Sequence, residues 1–267
     1  MNYSTYPVVL TLSGLDPTGG AGLQADIEAI ASMGAHAAPV ATCLTVQNTS
    51  EVIEVSPVPA ALLIEQARAV LEDMPVRSIK LGLLPDVEII EAIHSILVDY
   101  PEMPVILDPV LASGAGNELT TAGVIDAMRN LLFPLTTLMT PNSLEARRLA
   151  PGTDTLEASA MALLDTGCGH VLITGTHEKS KRVTNTLYAN HRKLDEYHWE
   201  RLEGSYHGSG CTLASAIAGL AAQGQNIVST LEPAQQYTWS ALQQGGHLGM
   251  GQKLPQRFFW AGARYGH

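Results

Sequence analysis

The 267-residue chain predicts an α/β fold: a mostly parallel central sheet flanked by helices in three layers, with small β flap elements. Three observations predict it. Short runs rich in Val, Ile, Leu and Thr alternate with longer segments of helical period. Those runs are apolar throughout, as strands covered on both faces are. The residues just after each run are polar or glycine-rich, which would stack them on one rim of the sheet, where open parallel sheets bind ligands.

In chain order, PVVLTLS at 7–13 reads as the first strand, closed by the turn residues of SGLDPTGG, and a helix is expected at 22–33. APVATCLTV at 38–46 is the second strand, ending at Gln47–Asn48, and TSEVIEVSPV at 49–58 reads as a short excursion strand. A helix at 59–73 precedes the strand SIKLG at 78–82, and one at 86–99 precedes PVILD at 104–108. Helix 120–132, strand TTLMT at 136–140, helices 142–149 and 155–166, and strand HVLITG at 170–175 continue the alternation. Residues 182–202 read as a polar-tipped hairpin turning near Asn190, and helices at 211–223 and 233–244 complete the set. No charge-rich linker, low-complexity tract or repeat interrupts this order, so residues 1–267 are expected to form one domain.

Composition excludes several roles. A net charge of -11 argues against binding a phosphate backbone, so no nucleic-acid partner is expected. Cys43, Cys168 and Cys211 are odd in number and widely spaced, suggesting neither a disulfide framework nor a zinc site, and the setting read from them is a reducing cytoplasm. The N-terminus has no basic start, and its apolar run breaks at Gly14, Asp16 and Pro17, so no secretion leader is expected. The longest apolar stretch, Cys211–Ala222, is shorter than the roughly 20 residues that span a bilayer.

Several rim motifs carry chemistry, each with a plainer alternative. In SGLDPTGGAGLQAD at 13–26, the glycines permit close backbone approach to a ligand, while Asp26 is equally suited to a structural place at a helix start. The sequence fits neither a P-loop nor a dinucleotide fingerprint. HGSGC at 207–211 opens a helix whose first N–H groups form an anion site; a thiol in that field is expected to have a lowered pKa, although Cys211 also suits plain packing. Asn142 and Glu145 in TPNSLEA have the spacing of a capping box. Asp108, just after a buried strand, is costly unless paired, hydrated or bound to a cation, and Gln47–Asn48 suits either a heterocycle edge or a turn.

Taken together, these segments resemble the hydroxymethylpyrimidine/phosphomethylpyrimidine kinases of thiamine biosynthesis, a ribokinase-like family. The resemblance rests on G-x-D-P-[ST]-G-G-A-G-x-Q-A-D at Gly14–Asp26, Q-N-T at Gln47–Thr49, K-x-G at Lys80–Gly82 and D-P-V at Asp108–Val110. It continues with T-P-N-x-x-E-A at Thr140–Ala146 and H-G-[ST]-G-C-T at His207–Thr212, where related sugar and pyridoxal kinases usually carry aspartate in place of Cys211.

The resemblance implies a cytoplasmic kinase using ATP and Mg2+ on a small-molecule pyrimidine. It implies that Gly14, Asp26, Gln47, Leu83 and Val110 hold the substrate and that Cys211 is the general base beside the amides of Gly208, Ser209 and Gly210. Asp108, Asn142 and Glu145 would serve Mg2+, and Asn142, Thr174 and Gly175 would lie by ATP. The family's homodimer would form through an edge near residues 38–58. Thr174 stands where many relatives carry lysine, so Lys179 or Lys181 would have to supply that charge. The rival readings are a pyridoxal or dual-specificity kinase and a catalytically inactive pyrimidine sensor.

Overall fold

The protein is described by a computed structural model covering residues 6–112, 116 and 118–262. Residues 1–5, read above for a leader, lie outside this set. β1 (Val8–Leu15), α1 (Gly22–Ser32), β2 (His36–Gln47) and β3 (Val52–Pro57) open the chain. α2 (Ala60–Asp73), β4 (Val76–Leu81), α3 (Val87–Leu97), β5 (Val105–Leu107), α4 (Ala122–Ala127) and β6 (Leu138–Met139) come next. Then come α5 (Ser143–Leu149), α6 (Leu156–Leu164), β7 (His170–Ile173), the hairpin β8 (Arg182–Ala189) and β9 (Arg192–Glu200), α7 (Ser209–Ala222), α8 (Ile227–Gln243) and α9 (Phe259–Gly262).

Among the described residues one sheet of nine strands runs in the order β3-β2-β1-β4-β5-β6-β7-β8-β9. Pairing is parallel from β2 through β7 and antiparallel at both outer edges. β1 has β2 on one side and β4 on the other, so the connections leaving it and returning to it diverge. That switch point opens a crevice beyond the carboxyl ends of the strands.

The period-two alternation of the strands sorts side chains between two cores. Leu10, Leu12, Ile79, Leu81, Val105 and Leu107 pack with α2, α3, α4, α5 and α6, while Val9, Ile106, Leu138 and Leu172 pack with α1, α7 and α8. On that second face β1 and β4 also carry polar residues: Thr11, Ser13, Ser78 and Lys80 are all fully buried. They are satisfied there, since Ser78 donates to the Ala218 carbonyl of α7 and Lys80 Nζ lies 2.8 Å from Asp26 Oδ1 of α1. Gly82 makes this possible: a Cβ at that position would lie 2.7 Å from Lys80 Nζ and 2.3 Å from Ser13 Oγ.

The elements expected from periodicity are present, with two differences. The last long helix begins at Ile227, six residues before the expected 233, with Asn226 accepting from Val228 N as its cap and Pro233 held in its interior. The buried stripe Ile227, Thr230, Leu231, Ala234 continues across the proline, so packing outweighs the lost backbone bond. The segment expected as helix 120–132 is α-helical only over Ala122–Ala127 and widens to a π-turn over Met128–Leu132, where Phe133 and Pro134 end the α register. The hairpin turns at Asn190 and His191, both at positive φ, as a two-residue turn of that hand requires.

Candidate active site

A cleft of about 1050 Å3 runs along the carboxyl ends of the strands. Gly14, Gln47, Leu83 and Val110 line it beside β1, β2, β4 and β5, together with Asp108 and the whole turn Gly208–Cys211. Asn142, Glu145 and Thr174 line it farther along the sheet, next to Thr176, Lys181 and Trp199 of the β7–β9 region and Trp239 of α8. Most of the residues expected at the site from sequence are therefore brought to one cavity from loops distant in the chain.

Two expected residues do not reach it. Asp26 is fully buried behind the cleft floor, and its carboxylate accepts from Thr11 Oγ1 at 2.5 Å and Ser215 Oγ at 2.6 Å in addition to the Lys80 ion pair. With both oxygens occupied by protein donors it does not lie against a ligand as expected. Gly175 is packed against β8, where a Cβ would sit 2.2 Å from the Thr184 carbonyl, and its N–H donates to Asn185 Oδ1. Glycine is needed there for the approach of two strands.

The two glycine turns are built against each other. Gly208 has φ 79°, and a Cβ on it would lie 1.9 Å from the Gly20 carbonyl; one on Gly20 would lie 2.3 Å from the His207 ring. Asp16 fixes the first turn, accepting from Thr18 N and Ala21 N, both at 2.8 Å. Burial raises the Asp16 carboxyl's pKa, but the bonds from His207 and Thr18 prevail and hold it below the ordinary value. His207 Nε2 lies 2.7 Å from Asp16 Oδ2 and 3.1 Å from Gln47 Nε2. One ring nitrogen offers one proton or one lone pair, so with the proton given to Asp16 the Gln47 amide remains available to a ligand.

Cys211, half-buried in the first turn of α7, faces the Gly22 N–H and lies beside Asp108. Its thiol does not behave as its place at a helix N-terminus led us to expect. Burial, with the Asp108 and Asp26 carboxylates, pushes it up to about 12 against the opposing pull of Lys80 and the Gly22 amide. Desolvation beside two carboxylates outweighs the helix end, so the sulfur is a neutral thiol near pH 7. Lys80 keeps its proton: burial opposes the ammonium, but the charges of Asp26 and Asp108 hold its pKa above the ordinary value.

Burial likewise raises the Asp108 carboxyl against the pull of Lys80, and Oδ2 has no hydrogen-bond partner. Glu145 is pushed up to about 8 by burial and by the Asp108 charge, against the N–H groups of Asn142 and Leu111. The sequence's capping box is present in full: Asn142 Oδ1 accepts from Leu144 N and Glu145 N, each at 2.9 Å, and Glu145 Oε2 accepts from Asn142 N at 2.9 Å. Asn142 thus holds Glu145 in place, its own oxygen committed to two amides. Two neighbouring carboxylates, one of them buried with an orphaned oxygen, fit a hard cation that takes its other ligands from water or phosphate. No cluster of three or more His, Cys, Asp or Glu suited to a metal occurs among the described residues.

Sequence reading missed Asp16, Lys80 and His207 as parts of the site. The motifs contained all three, but a strand lysine and a loop histidine carry no local sign of what they face. The thiol chemistry gives a direct check. With Cys43 and Cys168 raised by burial to about 11 and about 12 beside Cys211 at about 12, iodoacetamide should leave the native protein unmodified at pH 7.5 on a timescale that exhausts free cysteine. Labelling of Cys211 should rise about tenfold per pH unit above neutrality, read by peptide mass; rapid labelling of Cys211 at pH 7 would contradict the neutral thiol.

A family model described as phosphomethylpyrimidine kinase matches residues 16–256. The hydroxymethylpyrimidine/phosphomethylpyrimidine kinase of Streptomyces coelicolor is 34% identical over 256 residues, covering 92% of this chain and 93% of the relative; that of Escherichia coli is 32% identical over 247 residues, covering 91% and 93%. A probable thiamine biosynthetic bifunctional enzyme from Oryza sativa is 34% identical over 252 residues, and the chain spans about half the length of such bifunctional relatives, 46% in this case. Among solved structures, phosphomethylpyrimidine kinase from Clostridium difficile superposes with TM-score 0.76 at 29% identity, covering 86% of this chain and 97% of that one. Pyridoxal kinase from Bacillus subtilis in an ADP complex superposes with TM-score 0.88 at 25% identity, covering 97% and 99%. With the matched region spanning the cleft from Asp16 to the C-terminal segment, the chain belongs to the phosphomethylpyrimidine kinase family.

Proposed function

We propose that the chain transfers the γ-phosphoryl group of ATP to the hydroxymethyl oxygen of 4-amino-5-hydroxymethyl-2-methylpyrimidine, and then phosphorylates the monophosphate to the diphosphate, as a step in thiamine biosynthesis. The observation that carries this reading is the meeting of Cys211 and Asp108 with the first N–H groups of α7 in the same cleft as Gln47. Gln47 supplies an amide for the aminopyrimidine edge, and Leu83 and Val110 give the ring apolar walls. The free amides at the start of α7 suit a phosphoryl group, in the first step as it transfers and in the second as the substrate's own phosphate.

We place the nucleotide at the Thr174 end; use of an adenine nucleotide is supported by the Bacillus subtilis neighbour, an ADP complex. Lys181 lines the cleft there and Lys179 does not, so Lys181 is the flap cation we assign to the phosphates in place of the missing lysine. Asp108 and Glu145 would hold Mg2+, which when bound neutralises charge on the transferring phosphates. Because the thiol is neutral, Cys211 serves as a relay: the alcohol's proton passes to sulfur while the thiol's own proton moves to the neighbouring Asp108 carboxylate. That transfer completes late, since phosphoryl transfer passes through a loose transition state.

We assign the chain to a homodimer in the cytoplasm, where its free thiols stay reduced. The dimer reading is supported by Leu44, Val46 and Ile53 on β2 and β3, which leave 50%, 52% and 65% of their surface exposed on the sheet's edge. Sedimentation equilibrium should give twice the chain mass, and Ile53→Lys should return it to the monomer; a wild-type monomer at micromolar concentration contradicts this assignment.

The function itself is tested by coupled ADP release with the free pyrimidine, its monophosphate and pyridoxal. Turnover of both pyrimidines at higher kcat/KM than pyridoxal is expected, and preference for pyridoxal would install the rival reading suggested by the Bacillus subtilis fold. Cys211→Ala should lower kcat by about 10²–10³, while Cys211→Ser, whose hydroxyl can both accept and donate, should lose clearly less. Equal loss in the two variants would contradict the relay.

A further inference from the structure

Arg257, in the segment after α8, is 1% exposed and lies behind the two glycine turns, away from the cleft lining. Its guanidinium spends its donors on three separate stretches of chain. Nε donates to Thr212 Oγ1 at 2.9 Å, Nη1 to the Gly19 carbonyl and to Glu28 Oε2, each at 3.2 Å, and Nη2 to the Gly20 carbonyl. The residue is itself anchored, its carbonyl accepting from Ser32 Oγ at 3.1 Å and Tyr237 OH at 2.9 Å.

These acceptors sit next to the reacting groups. Thr212 is the residue directly after Cys211 and donates its own proton to the Gly208 carbonyl at 2.8 Å. The Gly20 carbonyl is the atom against which Gly208 packs, and two residues farther on Gly22 turns its N–H to the Cys211 sulfur. A planar fork of donors can fix the angle between two backbone segments in a way that a point charge or an apolar side chain cannot. Burying a guanidinium is also costly, and a site that needed only packing would be filled more cheaply by an apolar residue.

We propose that Arg257 is a positioning residue for phosphoryl transfer: it sets the spacing between the Gly19–Gly22 turn and the N-terminus of α7, and so holds the Gly22 amide and Cys211 face to face. It acts through those two elements and touches no substrate. The proposal rests on the Cys211-centred reading of the active site, and misplacement of reacting groups by about 1 Å is enough to reduce turnover by as much as a hundredfold.

The experiment compares Arg257→Lys and Arg257→Met with the wild type by thermal melting and by ADP-release kinetics well below the melting temperature. Wild-type turnover is measured first, on the pyrimidine and on pyridoxal; failure on the pyrimidine overturns the substrate assignment alone, and the variants are then judged on whichever alcohol the wild type phosphorylates. Each folded variant should lose about tenfold or more in kcat with KM for ATP within about twofold of wild type. In Arg257→Met, low millimolar guanidinium chloride should restore part of kcat where equal sodium chloride does not. A kcat within twofold of wild type in either folded variant, whatever its melting temperature, overturns the proposal. If Arg257→Met does not fold, Arg257→Lys decides, and failure of both to fold assigns the residue a purely structural role and overturns the proposal equally.

Discussion

The ammonium of Lys80 has no access to solvent, and the site is arranged around that fact. It rises from β4 into the layer between the sheet and α1, bonded to Asp26 and, at 3.0 Å, to Ser13 Oγ. A charge so placed is tolerated only when paired and hydrogen-bonded, and the strands supply what is needed: Thr11 and Ser215 complete Asp26, and Gly82 leaves the ammonium its space. Asp108 at the end of the neighbouring strand and Cys211 at the start of α7 lie within the same field. The pair behind the floor thus joins β1, β4, α1 and α7, the elements whose ends carry the glycine turns and the thiol.

From that buried layer outward, a switch in strand order brings chemically unlike loops together. β1 delivers the glycine turn, β2 the amide, β5 a carboxylate and α5 a second one held by its own capping box. The crowding of Asp108 and Glu145 is unfavourable in a ligand-free protein, which is why both carboxyls are raised and why a cation suits the place. The same burial keeps the thiol neutral. A helix N-terminus is often taken to activate a cysteine, but here desolvation and two negative neighbours decide the matter, and the chemistry that remains to the sulfur is to hand a proton on.

Much of this was legible in the sequence because it is local. Strand runs, glycine turns and the Asn142–Glu145 spacing report on residues a few positions apart, and the rim rule places the loop after each strand. Asp26 shows where such reading stops: a carboxylate in the first turns of α1 beside a glycine-rich loop looks outward-facing until Lys80, from a strand far along the chain, is seen to claim it. His207 on Asp16, and Arg257 behind both turns, are of the same kind, contacts across most of the chain's length with no periodic sign. The early start of α8 was hidden by Pro233, a residue whose local preference is overruled by the buried stripe on either side. The direction of the Cys211 shift was hidden by neighbours that only the fold supplies.

One buried ammonium serves both the core and the reacting groups above it, and a charge-neutral replacement separates the two. In the double variant Asp26→Asn/Lys80→Met the buried Asp26 charge is removed together with its partner, so the melting temperature should recover well above that of Lys80→Met alone. Turnover should nevertheless stay at least about tenfold below wild type, because Asp108 and Cys211 have lost the positive charge beneath them. A double variant that is both stable and fully active would contradict the claim and leave Lys80 as a core residue only.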